Sequence, residues 1–152
     1  MKIVTFLHMP WQYKKMFFIN ITLLGVAKAC VKLFAYKHIA FYFGKNCRMM
    51  VASTLISKTQ IQQAALIARS IKLAARYTPW NSNCLPQAIL AKFWCQHYQI
   101  PYFFFIGFAK SSTKPLGEEA HAWVTAGPIV ICGGNSFNTF HVVLSYCSLF
   151  IS

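Results

Sequence analysis

Hydrophobic and polar positions along this chain repeat with two different periods, and the change falls at Pro79. The longest apolar window runs from Met16 to Tyr36, interrupted by Asn20, Lys28 and Lys32. It predicts a helix that continues as far as Phe43, with Gly44 as its stop. Its uncharged part, Met16 to Ala27, is only 12 residues long, whereas a membrane span needs about 20. The segment therefore reads as an amphipathic or buried helix, with Lys28, Lys32 and Lys37 towards water. Packing inside the domain is favoured over lying on a membrane surface. Further on, Thr59 and Gln62 fit a capping box. Behind it Ile61, Ala64, Ala65, Ala68, Ile71 and Ala75 recur at helical spacing, with Gln62, Arg69, Lys72 and Arg76 on the other side. Pro79 ends that helix.

After Pro79 the period shortens. Leu85 to Tyr98 predicts a buried helix, with Leu90, Phe93, Trp94 and His97 on one stripe. Tyr102 to Phe108 is a dense aromatic run containing Gly107, and it reads as a central strand. Lys110 to Glu119 is a polar loop with Pro115 and Gly117. Ala120 to Thr125 and Ile129 to Cys132 form a hairpin around Ala126-Gly127-Pro128, broken by Gly133-Gly134-Asn135. Phe140 to Phe150 is a last strand or pair of strands. Helices followed by a helix and antiparallel strands give an α+β class. Residues 1–58 are read as a helical N-terminal segment and 59–152 as the core, together one compact unit.

Composition narrows the function classes. The 152 residues carry 15 Lys and Arg against 2 acids, a formal charge of +13, and 57% are hydrophobic. That apolar content excludes disorder. The two acids, Glu118 and Glu119, are adjacent, so chemistry needing separated carboxylates is excluded. The six cysteines form no Cys-x-x-Cys, which argues against a zinc knuckle or a thioredoxin-type pair, and no cofactor or metal is expected. No signal-peptide pattern stands at the start, and free thiols in a reducing cytosol are expected. The positive charge favours acidic lipid headgroups, nucleic acid or an acidic peptide over a neutral partner, with a merely solvated basic surface equally open. The basic residues are scattered without an arginine-rich run or an aromatic RNP motif, so a nucleic-acid partner is not expected.

Two short segments carry candidate chemistry. In Asn81-Ser82-Asn83-Cys84-Leu85-Pro86-Gln87-Ala88, Cys84 falls where a helix should begin and Pro86 falls in its first turn. Amides and dipole at a helix start favour an anion, which pushes a thiol towards thiolate. In Ala120-His121-Ala122-Trp123-Val124, the strand period puts His121 and Trp123 on one face. A cysteine at a helix start beside a histidine on a packed sheet is a thiol nucleophile with its base. The bland alternatives are a small core cysteine and a packing histidine, and on physics alone the two readings stand even. His8, His38, His97 and His141 have no comparable setting. His97 and Cys95 read as packing residues, and Cys132 is the one plausible rival thiol.

Cys84-Leu85-Pro86-Gln87-Ala88, the Gly107 strand, Ala120-His121-Ala122-Trp123-Val124 about 37 residues after the cysteine, and the closing Gly133-Gly134 together resemble a known family. They are similar to the transglutaminase-like cysteine peptidases of lasso-peptide biosynthesis, the leader peptidases or B proteins of the microcin-processing type. The resemblance covers about residues 60 to 145. It implies a papain-like core with N-terminal helices and the nucleophile helix packed on an antiparallel sheet. It implies a cytoplasmic peptidase that removes a leader peptide from a ribosomally made precursor, working with a separate leader-recognition protein and an ATP-dependent cyclase. Cys84 would be the nucleophile and His121 the base. Such enzymes complete a triad with an aspartate near residues 132–135, where this chain has Cys132, Gly133, Gly134 and Asn135. Asn135 is expected to orient His121 through its amide oxygen, as in Cys-His-Asn peptidases. The oxyanion would rest on the Cys84 amide and a donor from Trp80, Ser82 or Asn83, with Trp123 on the substrate side of the histidine. The competing reading is a non-catalytic, membrane-associated scaffold of a peptide maturation or export complex, held peripherally at the inner face of an anionic membrane.

Overall fold

The helical N-terminal half is organised around one polar residue in an apolar window. The computed structural model describes residues 11–34, 36–80, 83–110, 118–134 and 138–148. Helix α1 spans Trp11–Leu33. On it Asn20 is fully buried, donating from Nδ2 to Ser70 Oγ at 3.0 Å and accepting from the Trp94 indole at 2.6 Å. Ser70 lies on helix α3, Lys58–Tyr77, and Trp94 on helix α4, Cys84–His97. A buried amide is tolerated only when it is bonded, so this side chain fixes three helices relative to one another. Met16, Phe17, Leu24 and Ala27 of α1 are buried beside it.

The predicted continuation of α1 to Phe43 does not occur. The chain forms a short helix α2, Tyr36–Ala40, and a 3₁₀ turn, Phe41–Phe43. Ten more helical residues would carry Phe43 about 15 Å further along the axis. Instead it turns under the sheet, stacking on Phe104 at 4.2 Å, and its carbonyl accepts from the Tyr102 hydroxyl at 2.9 Å. Gly44 does stop the turn, at φ 125°, and passes so close to the Cys147 carbonyl that a Cβ would lie 2.6 Å from it. Strand β1, Lys45–Arg48, follows and had no sequence signal, because it is short, polar and largely exposed. It exists by pairing with the last strand, His141–Ser148.

The cap of α3 also differs from expectation. Ser57, not Thr59, is the N-cap: its hydroxyl accepts from Gln60 N at 3.2 Å, and Gln60 Oε1 accepts from Ser57 N at 2.9 Å. Both tetrads fit the motif. The earlier one wins because the Gln60 amide also donates to the Gln99 carbonyl at 3.0 Å, anchoring the helix start to the far end of α4.

Strands β2 (Tyr102–Lys110), β3 (Glu118–Ala126), β4 (Ile129–Cys132) and β5 (His141–Ser148) complete an antiparallel sheet of order β1-β5-β2-β3-β4. The hairpin strands β3 and β4 and the central place of β2 match expectation. The ends of the expected loop are strand, since β2 runs to Lys110 and β3 begins at Glu118, and residues 111–117 between them lie outside the described residues. The aromatic density of β2 follows from burial on both faces. Tyr102, Phe104 and Ile106 meet the helices, while Phe103 and Phe105 pack with Trp123 and Cys147 on the opposite face. Across that second face the thiols of Cys47 and Cys147 meet at 2.6 Å. His97, expected on the buried stripe, is exposed at the end of α4 and lies parallel to the Phe93 ring. The fold is α+β, with one helical layer on one face of an antiparallel sheet.

Removing the Asn20 amide strands the Trp94 donor in an apolar layer and leaves a small cavity. Asn20→Ala is expected to lower stability by about 2–4 kcal/mol, read as a urea midpoint shift with an unchanged slope. A change below about 0.5 kcal/mol, the level of an ordinary surface substitution, would mean that the helices are held elsewhere.

Candidate active site

The site is built where a helix begins and a strand loses its neighbour. Helix α4 starts at Cys84, and Pro86 in its first turn has no amide to leave unpaired. Asn83 is extended at the N-cap, φ −62° and ψ 168°, and its side chain makes no capping bond. The positive end of the helix dipole is therefore presented at Cys84 without a side-chain cap from Asn83. The half-buried thiol lies 4.0 Å from the carbonyl of Ala120, the residue before His121.

That approach depends on the sheet edge. Strand β4 pairs with β3 at Val124, Thr125 and Ala126 only. Past Cys132 the chain leaves the sheet through Gly133 and Gly134, at φ 93° and 63°. The Ala120–Trp123 part of β3 has β2 on one side and no β4 ladder on the other. A helix on one face can thus bring its thiol to the main chain of that edge, at the Ala120 carbonyl.

His121 belongs to that opposite face. Its ring stacks on Phe140 at 4.7 Å and lies beside Trp123 at 6.1 Å. Its Nε2 is 3.1 Å from the Gly133 carbonyl. A carbonyl oxygen only accepts, so this bond requires the proton on Nε2 and leaves the neutral ring's lone pair on Nδ1. Gly133 is required where it stands, because φ is +93° and a Cβ would run into Trp123. The carbonyl that orients the histidine is in this way fixed by the glycine and the buried indole together.

The structure brings Cys84 and the His121 segment to one edge, and it buries Trp123 completely alongside the histidine. Asn83 is exposed at the helix start. Trp80 is turned towards α1, where a Cβ on Gly25 would lie 3.1 Å from the indole. Its Nε1 is buried and has no hydrogen-bond partner among the described residues. Ser82 and Asn135 lie outside the described residues, as does the Lys37 side chain. Two contributors had no reading in the sequence. The Gly133 carbonyl is a main-chain group, signalled only by two consecutive glycines, and Phe140 was legible only as part of a strand.

A family model described as the transglutaminase-like superfamily matches residues 34–145, more than half of the chain. No curated protein matches, and no solved structure matches.

The other thiols near the site differ in environment. Cys132 is buried against Val124, and burial, with a smaller contribution from the neighbouring Cys84, pushes its thiol up to about 12. Burial likewise raises Cys95 well above the ordinary thiol range. Burial and the facing Cys47 raise Cys147 to about 11. A raised value means less thiolate at any given pH. Iodoacetamide at pH 8 should therefore modify Cys84 in the native protein and leave Cys132 and Cys95 intact, as read by peptide mapping. Labelling of Cys132 as fast as Cys84 would show that the β4 end opens in solution.

Proposed function

The chain belongs to the transglutaminase-like superfamily, and from that premise we propose that it is a cysteine peptidase that removes the leader from a ribosomally made lasso-peptide precursor. The observation that carries the reading is the Cys84 thiol at an uncapped helix start, beside the strand edge that holds a histidine with Nε2–H fixed on a carbonyl. In this reading the Cys84 thiolate adds to the carbonyl carbon of the scissile bond. The tetrahedral oxyanion rests on the Cys84 amide and a second donor, for which Asn83 is placed better than Trp80. His121 gives a proton to the leaving amine, a thioester remains, and water deprotonated by His121 hydrolyses it to the free carboxylate. The leader-recognition protein and the ATP-dependent cyclase are the partners this role requires, in a reducing cytoplasm suited to unbridged cysteines.

The test is cleavage of a precursor by the purified protein. Cys84→Ala should abolish leader removal, a loss of at least about 10⁴-fold, with the melting curve retained. Retained cleavage would sink the thiol mechanism. Asn135 is the proposed third member of the triad. Asn135→Ala should lower the rate by about 10- to 1000-fold, and Asn135→Asp should keep or raise it. An unchanged rate would leave the orienting role to the Gly133 carbonyl alone.

A second reading, the membrane-associated scaffold, has an observation in its favour. Between Tyr13 and Leu33, α1 is long and apolar enough to cross a membrane by length and composition, and only 28% of that window is buried. Its inner side is committed to the core through Asn20 and Leu24, while Phe18, Val26 and Leu33 are exposed. Such a helix suits the surface of an anionic bilayer. The protein should then co-sediment with phosphatidylglycerol vesicles and not with phosphatidylcholine ones. Phe18→Ser with Leu33→Ser should weaken sedimentation by about 10-fold or more. Equal recovery with both lipids, or none, removes the membrane from the account.

A further inference from the structure

We infer that the groove between α3 and the first turn of α4 is a subsite for acidic side chains of the peptide substrate, so that the enzyme selects carboxylates within a few residues of the cleaved bond. The inference rests on the peptidase reading and adds the substrate's chemistry to it. Two adjoining cavities, of 450 and 620 Å³, lie between α3 and the start of α4, and both are lined by Arg69, Lys72 and Gln87. The first reaches Cys132, Gly133 and Gly134, the turn whose carbonyl holds His121. The second extends along α3 to Arg76.

Arg69, Lys72 and Arg76 follow one another at three and four residues, so they form a single stripe on one side of the helix. All three are exposed. The chain has only two acids, Glu118 and Glu119, both at the start of β3. No acidic residue on α3 or α4 stands near enough in sequence to neutralise the stripe. Three cations along one concave groove create a positive potential that a carboxylate relieves, and arginine does so through a two-point contact. Gln87 stands one turn beyond Cys84, about 5 Å along the axis, and the stripe from Arg69 to Arg76 is about 10 Å long. An extended peptide advances about 3.3 Å per residue, so the stripe spans about three substrate residues next to the reacting carbonyl. A flat lipid surface fits the convex face of α1 better than this recess.

The inactive Cys84→Ala protein allows binding to be measured without cleavage. The probe is a fluorescein-labelled decapeptide with three glutamates, set against its glutamine twin by fluorescence anisotropy. The acidic peptide should bind about 10-fold tighter at low salt, since one such step is 1.4 kcal/mol, and the preference should shrink as salt is added. Arg69→Gln, Lys72→Gln and Arg76→Gln together should abolish the preference. Lys28→Gln with Lys32→Gln on α1 should leave it intact. Equal binding of the two peptides overturns the subsite. So does an equal loss in the α1 control, which would mean a diffuse response to net charge, and so does a preference retained in the triple variant. Loss of vesicle binding, rather than peptide binding, in the triple variant would assign the stripe to lipid and also overturn it. Cleavage of a precursor series by the wild type, indifferent to acidic residues, would overturn the subsite and leave the peptidase standing. Selective binding without any cleavage would sink the peptidase and leave the acid-binding groove.

Discussion

The Asn20 amide is the point on which the helical layer turns. Its two polar ends are each used once, by Ser70 of α3 and Trp94 of α4. An amide inside an apolar layer is acceptable only in the arrangement that satisfies both ends, so it excludes helix registers that apolar packing alone would tolerate. The consequence reaches the site along α4. Trp94 and Cys84 belong to the same rigid helix, separated by under three turns, about 15 Å. Holding the indole in the last turn of α4 holds the thiol at its start.

The second half of the site depends on where a strand stops. Had β4 continued past Cys132, it would have covered the edge of β3 beside His121 and kept Cys84 away. Two glycines with positive φ end it instead. The same turn then supplies the carbonyl that accepts the hydrogen bond from the histidine Nε2–H. The stop and the orienting group are one feature, and it is made of backbone. A carbonyl dipole fixes ring and tautomer much as a side-chain amide would, without a carboxylate's charge to favour the imidazolium.

Charge and apolar surface are segregated across the molecule. The exposed apolar side chains Phe18, Val26 and Leu33 lie on the outer side of α1, while Arg69, Lys72 and Arg76 line the groove between α3 and α4. With so few acids in the chain, the basic side chains form few internal pairs and their potential is directed outward.

Much of the fold was legible in the sequence, for identifiable reasons. The α+β class, the hairpin and the central aromatic strand follow from local periods, turn residues and residue types, which act within a few positions. Other features are non-local. Ser57 and Thr59 head equally good capping boxes, and a bond from Gln60 to Gln99 across the fold decides between them. The 3₁₀ turn at Phe43 is set by stacking on Phe104, and β1 by pairing with β5. His97 is exposed because helix α4 ends as it leaves the layer. The sequence by itself determined which groups could do chemistry. Only the tertiary structure decided that a backbone carbonyl meets the histidine and that Cys84 reaches the Ala120 carbonyl, because both are contacts between segments far apart in the chain, where no period or motif reaches.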